Sequence, residues 1–163
     1  MQTKEELEEF YQTPDPWKYQ GNEEDLKRIA EIATVALGVN KGKPYKKVLD
    51  IGAGEGYVTQ YLPAKEKHGF ELSDTAASRF PSSVKRVELP RKGYDLVVLA
   101  GVLYEQYDWR GMIDLAKRVG NRVIVTCNIK ENERPEVLEL GEQVLYKEFP
   151  YHHFTEVLRV FIV

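Results

Sequence analysis

Residues 47–61 read KVLDIGAGEGYVTQY and constrain the fold more than any other stretch. Val48, Leu49 and Ile51 form a short apolar run of strand-forming residues, with Asp50 near its end. Gly52, Gly54 and Gly56 follow, and residues 57–62 can form a helix. Strand, glycine turn and helix make the opening half of a nucleotide-binding βαβ unit. Glycine lets the backbone bend tightly and lets a ligand approach, because no Cβ stands in the way. An acidic residue, Glu71, ends the next apolar stretch, residues 70–72, read as the second strand. That puts a carboxylate about 20 residues downstream, where ribose hydroxyls are bound in such units.

The glycine spacing separates one ligand class from another. A dinucleotide fingerprint needs glycine at the first, third and sixth places, but the sixth place from Gly52 is Tyr57. Glu55 in the loop would also repel a phosphate at the helix start. The pattern Asp50-x-Gly52-Ala53-Gly54-x-Gly56-Tyr57 instead resembles motif I of the class I S-adenosylmethionine (SAM)-dependent methyltransferases. The phrase GFELS, residues 69–73, is similar to that family's second motif, with glutamate where aspartate is commoner. The resemblance implies that the loop wraps the methionine part of SAM. It also implies that Glu71, with Leu72 beside it, holds the ribose.

Residues 94–107, YDLVVLAGVLYEQY, carry a second signal. Leu96 to Leu99 is wholly apolar, as a central parallel strand requires. The following Ala100-Gly101 looks like the family's fourth motif, which implies the floor of the methyl-transfer site. The Pro-Pro-aromatic form of that motif is absent, which argues against nucleobase-amino and glutamine acceptors. Residues 84–89 read as a weak third strand, with Glu88 and the backbone near Leu89 as candidates, neither a clear match, for an adenine partner.

At the N-terminus, Thr3 and Glu6 form a capping box for a helix over residues 3–11. Two prolines, Trp17 and Tyr19 then break regular helix before a second helix, capped by Asn22, with Leu26, Ile29, Ile32, Ala33, Ala36 and Leu37 on one face. Asp15-Pro16-Trp17-x-Tyr19 resembles an element of the nodulation-type N-methyltransferases. The resemblance implies that residues 1–40 form a helical lid over the SAM pocket, with Trp17 and Tyr19 against the cofactor. Packing those two rings onto the core would explain them equally well.

Helices over 109–119 and 135–140, a strand over 122–127 and two long strands over 143–149 and 154–163 complete the chain. The expectation is an α/β fold: a Rossmann-like, mostly parallel seven-stranded sheet closed by a C-terminal antiparallel hairpin, with helices on both faces. It forms one domain, residues 1–163, with the Rossmann-like core over 45–163. A length of 163 residues suits one such domain.

Composition limits the partners. The net charge of −3 gives no general attraction to nucleic acid or anionic membranes. Cys127 is the only cysteine, so no intramolecular disulfide forms and a cytoplasmic setting is expected. No stretch is long and apolar enough to span a membrane, and no residue cluster has metal-ligand spacing.

The resulting expectation is transfer of a methyl group from SAM to a small-molecule acceptor, an amine nitrogen by the N-terminal resemblance, leaving S-adenosylhomocysteine. The rivals are O-methylation and a non-catalytic SAM-binding partner or sensor. Tyr11, Tyr104 and Tyr107 are the leading catalytic candidates. His152, His153 and Glu105 stand behind them, the histidines in a hairpin turn expected to be solvated.

Overall fold

The computed structural model describes residues 1–163. Seven strands form one sheet: β1 (Tyr45–Ile51), β2 (Ala64–Phe70), β3 (Val84–Arg86), β4 (Leu96–Ala100), β5 (Arg122–Asn128), β6 (Glu142–Tyr151) and β7 (Phe154–Ile162). Their spatial order is β3-β2-β1-β4-β5-β7-β6. The first five strands are parallel, and β7 runs antiparallel between β5 and β6. This is the expected Rossmann-like sheet with its closing hairpin. The strand order reverses between β1 and β4, which opens a crevice at their carboxyl ends.

Strand alternation splits the core into two layers. Val97 and Leu99 of β4 face α4 (Trp109–Val119), which buries Trp109, Ile113, Ala116 and Val119. Leu96 and Val98 face α2 (Glu23–Val39), which buries Ile29, Ile32, Val35 and Ala36. Successive strand side chains point to opposite faces, so an all-apolar strand needs a helix on each side.

Several boundaries differ from the expectation. The helix after the glycine loop is a single 3-10 turn, Thr59–Tyr61. Pro63 and the start of β2 at Ala64 leave no length for more. The second strand lies at Ala64–Phe70, not 70–72, and reads AKEKHGF. With only one 3-10 turn in the crossover before it, its outer face stays partly open to water, so it lacks an apolar run. On α2, Leu26 and Leu37 are exposed while Asp25 and Arg28 are buried. The buried stripe is therefore rotated toward polar residues that the apolar count ignored. The third strand ends at Arg86, three residues early.

Three short helices complete the chain: α3 (Asp74–Ala77) is capped by Ser73, α5 (Ile129–Asn132) was not anticipated, and α6 (Pro135–Leu138) ends before Leu140. The N-terminal helix α1 (Lys4–Phe10) carries the expected capping box, and its Leu7 packs with Tyr11 and Ala76. The first 40 residues thus divide: the residues before α2 lie over the crevice, while α2 packs into the sheet core and reaches the crevice only through Asp25 and Arg28 near its start.

Candidate functional site

A cavity of about 460 Å³ lies at the crevice, within the range of small-molecule sites. Its floor comes from the glycine loop after β1, from Phe70, Glu71 and Leu72 at the end of β2, and from Ala100 to Val102 after β4. Tyr11, Trp17 and Tyr19 close it from the N-terminal side. Tyr151, His152 and Phe154 close it from the β6–β7 hairpin.

The glycine loop needs its glycines. Gly52 has φ +73, and a Cβ there would sit 2.6 Å from Val102 Cγ1, across the crevice. Gly54 has φ +55, and a Cβ there would meet the Tyr11 hydroxyl at 3.0 Å. Gly56 departs from the expectation and does not line the cavity. It packs against Pro81 and Phe80 at φ +82, so its role is the turn itself.

Glu71 is folded inward at 8% exposure. Its Oε2 accepts from the Gly54 N–H at 2.8 Å and its Oε1 from the Ser73 N–H at 2.9 Å. Burial pushes its carboxyl above the ordinary value, against these bonds. A carboxylate has about four lone-pair sites, so acceptor capacity remains for a ligand. Asp50 is also buried, and its Oδ2 accepts from the Thr59 hydroxyl at 2.6 Å, tying the loop to the 3-10 turn.

The tyrosine candidates all reach the cavity. Burial raises the Tyr104 phenol to about 12 and lifts Tyr11 and Tyr107 as well. Near neutral pH these groups hold their protons and act as donors rather than bases. Tyr11 already accepts from Trp17 Nε1 at 3.3 Å. Tyr57 meets Tyr19 edge-on at 5.6 Å and accepts from Gln20 at 2.6 Å.

Other candidates fall elsewhere. Glu105 is outside the cavity and pairs with Arg134 at 2.6 Å. His153, Glu88 and Leu89 do not line the cavity either. His152, expected in a remote turn, does line it, because the long hairpin folds back over α2. The largest omission is Arg28, 4% exposed on α2. Its Nε donates to Glu156 Oε1 at 2.8 Å, and Thr126 donates to the same oxygen at 2.6 Å. Burial alone would lower the guanidinium, but Glu156 together with Tyr19 and Tyr151 outweighs it and the group stays charged. No hydrogen bond within the chain uses its two terminal nitrogens, and Arg28 borders the cavity beside Gly101. A buried arginine on a polar helix face gives no periodicity signal.

No protein-family model matches the sequence, and no curated protein does. Solved structures do. NodS N-methyltransferase from Bradyrhizobium japonicum, in complex with S-adenosyl-L-homocysteine, is 17% identical with a TM-score of 0.78, over 99% of this chain and 98% of that one. Magnesium protoporphyrin IX methyltransferase from Synechocystis, with bound SAM, is 13% identical with a TM-score of 0.73, over 98% and 97%. The fold is that of the class I methyltransferases. A candidate RNA methyltransferase from Pyrococcus horikoshii shares the methyltransferase fold at 20% identity and a TM-score of 0.64, over 99% and 97%. No helix is long and apolar enough to cross a membrane.

Proposed function

We propose that this chain is a SAM-dependent methyltransferase acting on a small-molecule acceptor, with an amine nitrogen as the methylated atom. The observation that carries the reading is the convergence of Glu71, the glycine loop and Ala100-Gly101 on one cavity at the switch point of the sheet. The residues fit the group on two counts. Gly52 and Gly54 form a cradle that a Cβ would fill, and Arg28 turns two guanidinium nitrogens with no partner in the chain toward the cavity beside it. In this reading Glu71 takes the ribose hydroxyls, and Asp50, Gly52, Ala53 and Gly54 surround the methionine part. Arg28 takes its carboxylate, and Trp17, Tyr19, Tyr57 and Leu72 enclose the nucleoside side.

The bound donor supplies a methyl group on a sulfonium, already activated. The chain's task is to hold the acceptor in line with that methyl and exclude water. Tyr11, Tyr104 and Tyr107 serve as neutral hydrogen-bond donors that position it. Residues 1–21 serve as the lid: Asp15 accepts from the Tyr19 and Gln20 N–H groups at 2.8 and 2.9 Å, which sets the loop that carries Trp17. The neighbours include a candidate RNA methyltransferase and a methyltransferase bound to an activator protein. The net charge of −3 favours a small molecule over RNA. The buried, unpaired Cys127 suits the cytoplasm as the compartment.

Calorimetric titration with S-adenosylhomocysteine tests the reading, with NADH as control and Glu71→Ala as variant. Micromolar binding, about −8 kcal/mol, weakened at least tenfold by the substitution, is the expected result. Binding of NADH instead, or indifference to Glu71, would overturn it.

A further inference from the structure

Asp25 is 2% exposed, sits in the first turn of α2 and borders the cavity. Its Oδ1 accepts the Tyr151 hydroxyl. Its Oδ2 accepts no hydrogen bond within the chain, and the one basic side-chain nitrogen within 4 Å of it is His152 Nε2 at 3.8 Å. The side chain is buried but borders the cavity, so an oxygen left without a donor in the chain is placed to accept one from a ligand there.

His152 completes the arrangement. Its Nδ1 lies 2.8 Å from Glu24 Oε2, which holds the ring and leaves Nε2 directed toward Asp25. The residue has φ +50 in the two-residue turn between β6 and β7, the conformation a tight hairpin calls for. The walls around the pair are aromatic: Tyr19, Tyr104, Tyr151 and Phe154. The charged and titratable groups facing it are Glu24, Asp25 and Arg28 from α2, Tyr19 from the lid, Tyr104 from the loop after β4, and Tyr151 from the hairpin. Arg28 is already countered by Glu156. The remaining buried charge at this end of the cavity is that of Asp25, and it is negative.

We propose that Asp25 and His152 form the acceptor subsite, and that it takes a small aromatic amine as its ammonium ion. Asp25 Oδ2 accepts one N–H of the ammonium. His152 Nε2 receives a second proton, which frees the nitrogen lone pair. That pair forms the new N–CH3 bond as the S–CH3 bond breaks, with the bonding pair left on sulfur. The product is a methylated ammonium, still countered by Asp25. The imidazolium returns its proton to water at the partly exposed edge of the ring. Tyrosines that keep their protons cannot perform this transfer; an imidazole between carboxylates can.

The inference rests on the methyl-transfer reading, and one series of measurements separates the two. Wild-type protein is first titrated with S-adenosylhomocysteine; no binding would remove both. The loaded protein is then titrated with 2-phenylethylamine, 2-phenylethanol and phenylacetate, which share a skeleton and differ in charge. The amine should bind tightest and the acid weakest. Asp25→Asn should cost the amine about ten- to a hundredfold and leave the alcohol unchanged. Tyr151→Phe, which keeps the carboxylate, should retain the amine preference. His152→Gln should keep that preference and slow methyl transfer to the amine by about a hundredfold or more. Tightest binding of phenylacetate would assign the acceptor to Arg28 and overturn the proposal. Equal amine binding in Asp25→Asn, or wild-type transfer rates in His152→Gln, would also overturn it. So would an Asp25→Asn variant that melts like wild type but loses S-adenosylhomocysteine, since Asp25 would then hold the cofactor's amino group.

Discussion

Glu55 and Arg79 meet at 2.7 Å, and through them the glycine loop is fastened to the N-terminal segment. The same arginine nitrogen donates to the Tyr11 carbonyl at 2.8 Å, and the other Glu55 oxygen accepts the Asp15 N–H at 2.9 Å. The acidic residue that would repel a phosphate in this loop is therefore a latch. Replacing Arg79 by Met leaves the buried Glu55 carboxylate with one partner and should cost about 1–3 kcal/mol. Hydrogen exchange in residues 11–21 should quicken and S-adenosylhomocysteine should bind more weakly. Unchanged exchange there would show that the segment is held by its aromatic contacts alone.

The close approach of Gly52 to Val102 makes a second prediction. Gly52→Ala places a methyl 2.6 Å from Val102 Cγ1 at φ +73 and should destabilise the fold by about 1–3 kcal/mol. Adding Val102→Ala should recover the steric part but not the backbone strain. Urea denaturation of the two variants measures the split.

The buried pair Arg28–Glu156 invites a double-mutant cycle. Arg28→Met leaves Glu156 facing Thr126 alone and should cost about 3–5 kcal/mol. Glu156→Gln on top of it removes the stranded charge and should restore most of that stability. S-adenosylhomocysteine affinity should stay low in both, because the free guanidinium nitrogens are gone. Recovery of affinity along with stability would remove Arg28 from the ligand site.

Asp50 sets a pH dependence. Burial raises its carboxyl from 3.8 to about 7, despite the bond from Thr59. A carboxyl with a raised folded value binds its proton more tightly when folded. Its stabilising contribution is thus full below the unfolded value and is lost as pH rises toward the folded one. Asp50→Asn keeps an acceptor for Thr59 and cannot lose a proton. The variant should gain on wild type by a few kcal/mol between about pH 4 and pH 8. A stability difference independent of pH would mean that Asp50 stays ionised when folded.

The fold was legible in the sequence because its central strands are buried on both faces. Val48, Leu49 and Ile51 and the run Leu96 to Leu99 are apolar on both faces, with Asp50 the one polar member, and a glycine run after such a strand admits few geometries. The capping box at Thr3, the helix over Trp109–Val119 and the closing hairpin follow from equally local rules. The floor of the cavity was legible for the same reason: the glycine loop, Glu71 and Ala100-Gly101 each lie at the end of a strand. What only the tertiary structure decided is the opposite wall. Asp25, Arg28, His152 and Glu156 are spread over more than 120 positions and meet because a hairpin folds back across α2, with Arg28 and Glu156 128 residues apart. Local periodicity reads which residues leave water, and apolar side chains announce this by their spacing. A buried charge is tolerated only because a distant partner compensates it, and no local pattern records that partner.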